Sequence, residues 1–241
     1  MLVYFCDLTL ESPSENLACD EVLLNICEDG NQGELLRVWE PQSYFVVLGY
    51  ANKAHSEANL DFCRRNNIPV LRRCSGGGTV LQGPGTLNYS LILRIDPSGT
   101  CHCITGANKF VMGRHQAALA TLLDAAVEIG GHTDLVIRKS KFSGNAQRRK
   151  KKFLIFHGSF LLHLDFQLME RSLPLPSKEP AYRMGRRHSD FLMNLEIPAS
   201  HLKSALQKAW AAEEPLWQLP FDQINHLARD KYSRDEWNLK F

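Results

Sequence analysis

The chain has 241 residues, of which 44% are hydrophobic and 22% charged, and its formal net charge is +2 at pH 7. This composition is compatible with a soluble single-domain enzyme, and so small a net charge says little about partners. No run of about 18 apolar residues predicts a membrane span, and no charged-then-apolar leader precedes a small-residue cleavage site. We therefore expect one domain over residues 1–241, located in the cytoplasm or, in a eukaryote, in an organellar matrix.

The N-terminal segments predict alternating strands and helices. Residues 2–6 predict a strand. The sequence Ser-Pro-Ser-Glu at 12–15 is a capping box with proline at the first helical position, and it predicts a helix that ends near Gly30. The apolar segments 35–39 and 45–48 are separated by a turn-like spacing, which predicts a β-hairpin.

A glycine-rich segment with two arginines follows a predicted short helix over about 56–66. Residues 72–80 are Arg-Arg-Cys-Ser-Gly-Gly-Gly-Thr-Val. Glycines allow positive φ and close approach of backbone N–H groups, and paired guanidinium groups offer forked donors to phosphate or carboxylate. Neither the G-x-G-x-x-G nor the G-K-[ST] nucleotide pattern is present. The segment predicts an anion-binding strand-loop-strand unit, with a flexible hairpin carrying exposed arginines as the alternative.

The middle of the chain predicts two strands around a long helix. A Gln-Gly-Pro-Gly turn at 82–85 precedes a strand over 87–93. Helical spacing over 107–129 is followed by two glycines that predict the end of the helix. Residues 135–137 predict the next strand.

Residues 141–162 predict a hairpin with a basic tip at 148–152. This arrangement places Lys141 and His157 where they can face each other across the sheet. We expect the tip to lie near the mouth of an active site, where it would steer an acidic protein partner, with a solvated turn as the alternative. Beyond residue 165 the pattern is looser, and it predicts terminal helices over 200–212 and 220–231.

Several motifs in a fixed order are more specific than any one of them. They are R-R-x-S-G-G-G-T-V at 72–80, G-x-L-N-Y-S at 85–90, T-D-L-V at 133–136, K-F-S-G-N-A at 141–146 and H-G-S-F-L-L at 157–162. In this order they resemble the lipoate–protein ligase A family of the biotin/lipoate ligase superfamily, over roughly residues 1–200. The resemblance implies an α+β fold in which helices flank a mixed, largely antiparallel central sheet, similar to class II synthetases.

Lys141 matches the lysine of the family's K-x-S-G-x-A motif. The resemblance implies ATP-dependent attachment of lipoate or octanoate to a lysine of a lipoyl domain through an acyl-adenylate, and it implies that the Lys141 ammonium contacts the acyl carbonyl and phosphate oxygens. ATP and Mg²⁺ are then consumed with the lipoate substrate rather than permanently bound, and no metal-binding residue is predicted. A solvated surface lysine is the alternative, and Lys139 is a decoy two residues earlier on the same predicted strand face.

The arginine pair falls on the family's arginines, which the resemblance places beside the acyl chain and the phosphates. Because neighbouring strand residues point to opposite faces, we expect one guanidinium to reach the ligand, and we prefer Arg72 over Arg73. The other predicted binding residues lie in the same motifs: Ser75, Gly76, Gly77, Gly78, Asn88, Asp134, Gly144, Ala146, His157 and Gly158. A hydrogen-bonded core histidine is the alternative for His157, and turn caps are the alternatives for Asn88 and Asp134.

The resemblance implies, as partners, lipoyl domains of 2-oxoacid dehydrogenases or the glycine cleavage H protein, and neither nucleic acid nor membrane. Two departures from the family pattern bear on this. Residues 82–86 are Gln-Gly-Pro-Gly-Thr, where many members of the family carry H-D-x-G-N. This turn resembles the corresponding loop of octanoyl-carrier-protein transferases. The sequence ends at Phe241 without the accessory domain of many bacterial ligases, which suggests a separate accessory subunit.

Three functions therefore compete: a ligase, a lipoyl or octanoyl transferase that uses a carrier thioester or lipoylated protein, and a non-catalytic binder of lipoyl domains or nucleotide. A thioester route needs a nucleophilic cysteine near the K-F-S-G-N-A strand, and residues 104–162 contain none. Cys74 is the candidate nucleophile, with a small packed residue as the alternative. The odd number of cysteines argues against a disulfide scaffold, and the Cys-His-Cys at 101–103 has no partner at zinc spacing.

Overall fold

Eleven strands form two sheets in the computed structural model, which describes residues 2–216 and 218–241. In chain order they are β1 (Val3–Asp7), β2 (Glu34–Trp39), β3 (Phe45–Leu48), β4 (Val70–Arg72), β5 (Val80–Gln82), β6 (Thr86–Arg94), β7 (Glu128–Gly130), β8 (Asp134–Ile137), β9 (Ser140–Arg149), β10 (Phe153–Leu161) and β11 (Glu214–Pro215). The larger sheet has the order β11-β1-β2-β6-β10-β9-β8-β7, and the smaller has the order β4-β3-β5. In the larger sheet β1 runs parallel to both neighbours and the other pairs are antiparallel. The predicted α+β fold with a mixed, largely antiparallel sheet is confirmed.

The helices of the described residues pack on both faces of the larger sheet and on the smaller sheet. They are α1 (Pro13–Glu28), α2 (Ala54–Glu57), α3 (Leu60–Arg65), α4 (Ile104–Leu123), α5 (Phe166–Ser172), α6 (His188–Phe191), α7 (Ala199–Trp210), α8 (Phe221–Leu227) and α9 (Asp235–Asn238). Successive side chains point to opposite faces of a strand, so each strand of the sheet contributes residues to two hydrophobic cores. On β2, for example, Leu35 packs with α1 and α8, whereas Leu36 packs with α4 and α7.

The capping box predicted at 12–15 opens α1. The Ser12 hydroxyl accepts the Glu15 N–H at 3.2 Å, and the Glu15 carboxylate accepts the Ser12 N–H at 2.8 Å. Pro13 follows at the first helical position, where its missing N–H costs nothing. The helix ends at Glu28, close to the predicted end.

The hairpin predicted from 35–39 and 45–48 is wrong. Strand β2 pairs with β1 and β6 in the larger sheet, whereas β3 pairs with β4 and β5 in the smaller one. Both strands are almost wholly buried, so each is covered by neighbours that are distant in sequence. Turn-like spacing alone did not reveal that the chain changes sheets here.

Two predicted helices have different bounds in the structure. The segment at 56–66 forms α2 and α3, because Asn59 interrupts the helix and its side chain caps the N–H of Phe62 at 3.1 Å. The long helix α4 begins at Ile104 and ends at Leu123, where Asp124 takes a left-handed conformation. Residues 128–129, predicted to continue it, lie in strand β7 instead.

The predicted hairpin of β9 and β10 is present, but its register differs from the expectation. His157 pairs with Ala146, and Lys141 lies beside Val136 of β8. The two side chains predicted to face each other are therefore five residues out of register along β9.

The C-terminal residues return to the main sheet. Strand β11 pairs with β1, and α8 with the π-helix Ala228–Tyr232 packs on α1. The Glu21 carboxylate of α1 accepts the Lys231 ammonium and the Tyr232 hydroxyl, each at 2.6 Å. Among the described residues, no helix combines the length and the hydropathy that a membrane crossing needs.

Candidate active site

A cavity of about 320 Å³ lies over one face of the larger sheet. Its wall is formed by residues of α1, β2, β6, β9 and β10, by the glycine-rich loop after β4, and by the segment 176–183. Elements from the whole length of the chain meet there.

Two rows of paired residues cross the sheet under this cavity. Within each row the residues are direct cross-strand partners on β2, β6, β10 and β9, and alternation places both rows on one face. One row is Trp39, Asn88, Ser159 and Gly144. The other row is Arg37, Ser90, His157 and Ala146.

The first row gives the length of the cavity. Three strand steps separate Trp39 from Gly144 and adjacent strands lie about 4.8 Å apart, so this length is about 14 Å. At the Trp39 end the wall also contains Leu17, Val47 and Val80, which pack in the same apolar cluster as Trp39. The Gly144 end is charged. The cavity is therefore a slot with an apolar end at Trp39 and a charged end at Gly144.

Lys141 lies at the polar end, and its ammonium is 2.8 Å from the Asp134 carboxylate. A Cβ at Gly144 would lie 2.6 Å from that ammonium, so glycine gives the lysine its path across β9. The second carboxylate oxygen of Asp134 accepts the Tyr182 hydroxyl at 2.7 Å. Burial and the Asp134 charge raise the pKa of Tyr182, which keeps the phenol protonated as donor. This bond ties the segment 176–183 to the polar end.

Lys139, the predicted decoy, is not on the strand face of Lys141. Arg138 and Lys139 have φ of 50° and 66° and form the turn between β8 and β9, and both are exposed. Positive φ at both central residues is the pattern of a type I′ hairpin turn. The structure therefore separates the two lysines by local backbone geometry.

Arg73, not Arg72, lines the cavity, so the sequence-based preference is corrected. The Arg73 guanidinium is buried and donates to the carbonyls of Gly76 and Gly78 at 2.6 and 2.8 Å. Among the ion pairs of residues 2–216 and 218–241 it has no carboxylate partner, and burial lowers its pKa to about 10. A buried cation without a carboxylate is suited to binding an anionic ligand.

Arg72 points to the opposite face of β4, as strand alternation requires. Its guanidinium donates to the carbonyls of Gly49, Tyr50 and Asn52 and to those of Trp237 and Asn238. It thereby holds the C-terminal residues against the back of the glycine-rich loop.

His157 belongs to a buried polar chain beneath the loop. Its Nε2 is 2.6 Å from the Ser75 hydroxyl, which also accepts from Arg73 Nε at 3.1 Å. Its Nδ1 is 3.7 Å from the Asp20 carboxylate. Since the arginine can only donate, Ser75 can give its proton to Nε2, leaving the Nδ1 proton to face Asp20.

Asp20, Arg37 and Ser90 complete this chain, and sequence reasoning missed all three. Asp20 pairs with Arg37 at 2.6 Å and accepts the Ser90 hydroxyl at 2.6 Å. Burial would raise the pKa of Asp20, but Arg37 and His157 outweigh it and hold the pKa below its usual value. A charged arginine within the otherwise apolar residues 35–39 was the signal that pointed to a buried partner.

Most residues predicted for the site line the cavity. These are Arg73, Gly77, Gly78, Asn88, Asp134, Lys141, Gly144, Ala146, His157 and Gly158. Ser75 lies behind His157, Gly76 accepts from Arg73, and Arg72 faces away.

The basic tip at 148–152 begins beside the glycine-rich loop, where Arg148 donates to the Cys74 carbonyl at 3.2 Å. Its place near the mouth of the active site and its steering of an acidic partner stay predictions. Eight residue steps along β9 separate Lys141 from Arg149, or about 27 Å of extended strand. The tip packs on the end of α1, where Glu28 accepts the backbone N–H groups of Lys152 and Phe153 at 3.0 Å each.

Comparisons with known proteins bear on what this cavity is for. The family model described as lipoyl protein ligase A/B catalytic domain matches residues 12–202. The chain belongs to this family. Lipoate-protein ligase A subunit 1 of Thermoplasma acidophilum is 24% identical over 251 residues, which cover 96% of this chain and 95% of that protein. Octanoyltransferase LipM of Brevibacillus brevis is 27% identical over 267 residues, which cover 95% of each.

A solved structure shares the fold of this lipoyl ligase family member. The crystal structure of lipoate-protein ligase A bound with ATP has a TM-score of 0.84 and 22% identity, and the match covers 99% of both chains. The family resemblance stated from the motifs is thus confirmed.

The turn at 82–86, where this family member departs from H-D-x-G-N, is built by its glycines. Gly85 has φ of 87°, and its carbonyl accepts the N–H groups of Leu162 and His163 at 2.8 and 2.9 Å. Gln82 lines the cavity and donates to Ser159. The turn therefore contributes an amide to the cavity where a histidine and an aspartate are absent.

Cys74 is buried and does not line the cavity. Burial, with Glu21 adding to it, raises the pKa of its thiol despite Arg148. A nucleophilic cysteine needs the opposite, a lowered pKa and access to substrate. No cysteine of the described chain lies in the cavity wall.

Proposed function

We propose that the protein is a lipoate–protein ligase that attaches lipoate, or octanoate, to a lysine of a lipoyl domain through an acyl-adenylate. One observation carries this proposal: a single slot-shaped cavity about 14 Å long has an apolar end at Trp39 and a polar end that contains Lys141. An extended acyl chain fits the slot with its carboxylate at that end.

Two chemical steps follow from this placement. The acyl carboxylate attacks the α-phosphorus of ATP and pyrophosphate leaves; the acceptor lysine then attacks the acyl carbonyl and AMP leaves. In both steps negative charge develops beside the carbonyl, where the Lys141 ammonium supplies a preorganised cation. Arg73, Lys178 and Arg183 line the same cavity and suit the phosphates.

We propose Mg²⁺ as the companion of ATP rather than as a resident metal. No cluster of three metal-ligating side chains occurs in the parts of the chain that the structure describes. Magnesium commonly binds through substrate phosphates and one or two carboxylates. Asp134 is the carboxylate at the polar end, and its pairing with Lys141 would have to adjust for a metal contact.

The proposed acceptors are lipoyl domains of 2-oxoacid dehydrogenases or the H protein, reached in the cytoplasm or an organellar matrix. A separate accessory subunit is also proposed, because a relative of similar length is named as subunit 1 of its ligase. No nucleic acid or membrane is part of the proposal. The domain prediction of one unit over 1–241 stays a prediction.

Octanoyl transfer from a carrier thioester is the second candidate, favoured by the octanoyltransferase relative and by the Gln82 turn. The cysteines weigh against it, because Cys74 is buried with a raised pKa. We place it second.

A non-hydrolysable lipoyl-sulfamoyl adenosine, which mimics the acyl-adenylate, tests the proposal by calorimetry without needing turnover or an accessory subunit. We expect it to bind at least about 100-fold more tightly than lipoate, because an analogue of the intermediate makes the contacts of both the acyl part and the adenosine part. Lys141→Ala should remove most of that gain. Binding no tighter than lipoate or AMP would favour octanoyl transfer from a thioester.

A further inference from the structure

Tyr182 holds the carboxylate that partners Lys141, although Tyr182 itself does not line the cavity. Its hydroxyl donates to one oxygen of Asp134 at 2.7 Å, and the other oxygen of Asp134 is 2.8 Å from the Lys141 ammonium. A side chain outside the cavity wall does not touch a substrate in that cavity. Any effect of Tyr182 on the reaction is therefore exerted through Asp134.

The phenol ring of Tyr182 occupies a space that a glycine provides. A Cβ at Gly130 of β7 would lie 2.8 Å from Tyr182 Cζ, which is closer than side chains approach one another, so a larger residue there would displace the ring. The Phe191 ring packs against the phenol, with 5.2 Å between the ring centroids. The position of the hydroxyl is thus set by the packing of its ring.

The backbone on both sides of this hydrogen bond is fixed as well. Arg186 donates to the carbonyl of Tyr182 at 2.9 Å and to the carbonyl of Lys139, in the turn before β9, at 3.1 Å. The carbonyl of Lys141 accepts the N–H of Met193 at 2.9 Å. Because these bonds hold β9 and the residues after 180 together, the hydroxyl of Tyr182 donates from a defined direction.

Two donors, one on each oxygen, give the Asp134 carboxylate a single orientation. Without the Tyr182 hydroxyl, that carboxylate is free to rotate about its last bond. The ammonium of Lys141 would move with it, because lysine carries its charge on a flexible four-carbon stem and takes its direction from its ionic partner. A cation stabilises a reacting group best when its position is fixed before the reaction.

We infer that Tyr182 is a positioning residue, which fixes the Asp134 carboxylate and through it directs the Lys141 ammonium at the activated acyl group. The inference deepens the proposed function and rests on it. It gives a role to a residue outside the cavity wall, in the segment that also contributes Lys178 and Arg183 to that wall.

A double-mutant cycle between Tyr182→Phe and Lys141→Ala tests this inference. Calorimetry measures the affinity of the wild-type protein, both single variants and the double variant for the lipoyl-sulfamoyl adenosine analogue. Tyr182→Phe keeps the ring and removes the hydroxyl. We expect it to weaken binding about threefold to tenfold when Lys141 is present, the factor of one net hydrogen bond. In the Lys141→Ala protein the same change should have less than about a twofold effect, because the side chain on which Tyr182 acts is gone.

Gly130→Ala is a second variant that acts on the same hydrogen bond, because the added methyl group displaces the ring without removing the hydroxyl. It should also weaken binding only when Lys141 is present. Lys178→Met is the matched control, since Lys178 lies in the same segment and lines the cavity itself. Its effect should be equal in both backgrounds. Thermal melting shows that each variant is folded, and Tyr182→Phe alone suffices if Gly130→Ala does not fold.

The inference and the proposed function fail differently. Equal losses from Tyr182→Phe with and without Lys141, or no loss in either protein, would overturn the positioning role and leave the ligase proposal intact. An analogue that binds the wild-type protein no more tightly than lipoate would overturn the ligase proposal, and the inference with it.

Discussion

Lys141 combines a cation, a carboxylate partner and access to the cavity, whereas Lys139 is an exposed turn residue. We predict that Lys141→Ala lowers acyl transfer by at least about 100-fold, or ~2.7 kcal/mol in the barrier, as loss of a preorganised donor does. Lys139→Ala, the matched control, should lose less than about tenfold. Intact mass of an acceptor lipoyl domain measures both rates, and similar losses in the two variants would refute the assignment.

The arginine pair gives a second prediction at this scale. Arg72→Met should destabilise the protein by more than about 3 kcal/mol, because buried carbonyls left without a donor each cost ~1–3 kcal/mol. Arg73→Met should cost less stability, since Gly76 and Gly78 are exposed and water can replace the guanidinium. It should instead weaken binding of the adenylate analogue.

Urea denaturation and calorimetry on the two variants separate these effects. The opposite assignment, with Arg72→Met folded normally but unable to bind the analogue, would show that the side chains are not placed as described.

Sequence reasoning at the residue scale reached the motif residues but not their directions. Strand alternation predicted that one arginine of the pair faces the ligand, yet nothing in the sequence told which. Asp20 was missed as a site residue for a related reason. Its partner His157 is 137 positions away, and only the packing of α1 on β10 brings them together.

At the scale of elements, helices α4 and α7 are joined by a buried histidine. The Trp210 indole donates to His115 Nε2 at 2.9 Å, and burial lowers the pKa of His115 to about 3. In the unfolded chain His115 therefore binds a proton as the pH falls through about 6.5, whereas in the folded chain it stays neutral. The free energy of unfolding consequently decreases as the pH drops below that value.

We predict that protonation of this histidine in the unfolded chain lowers the free energy of unfolding by about 2 kcal/mol between pH 7 and pH 5. The figure follows from the difference between the pKa of His115 in the unfolded and the folded chain. His115→Gln keeps an acceptor for the indole but does not titrate. Its free energy of unfolding should consequently change less over this range, by about that amount. Urea denaturation at both pH values measures the difference, and parallel losses in both proteins would contradict the buried, neutral histidine.

The elements set by local signals were predicted well, and those set by distant partners were not. The capping box and the β9–β10 hairpin are local, and the structure has both. The pairing of β2 and β3 depends on β1, β4 and β6, which lie elsewhere in the chain. A wholly apolar strand such as β3 carries no period that identifies its sheet.

At the scale of the whole molecule, the cavity exists only because both sheets, α1 and the segment 176–183 meet. The order of the motifs along the chain indicated this meeting through the family resemblance, whereas no single motif did. The hydrogen bond from Tyr182 to Asp134 joins residues 48 positions apart, and it is visible only in the folded chain.

The proposed accessory subunit gives a prediction at this scale. If it is required, the protein alone should transfer lipoate from preformed lipoyl-adenylate, yet form that adenylate slowly from lipoate and ATP. Pyrophosphate release measures the first step and acceptor mass the second. Fast overall ligation by the isolated chain would show that no further subunit is needed.

The central claim is that the activated acyl group is an adenylate on the way to a protein lysine. The most direct measurement is the intact mass of a lipoyl domain after incubation with this protein, lipoate, Mg²⁺ and, in parallel samples, ATP or no ATP. The protein is used in stoichiometric amount and the reaction runs over hours, so that slow adenylate formation without an accessory subunit is still detected. We predict a lipoyl mass increase with ATP, none without it, and full retention of the reaction in Cys74→Ser. A further sample contains octanoyl carrier protein in place of lipoate and ATP. Transfer in that sample, lost in Cys74→Ser, would contradict the account.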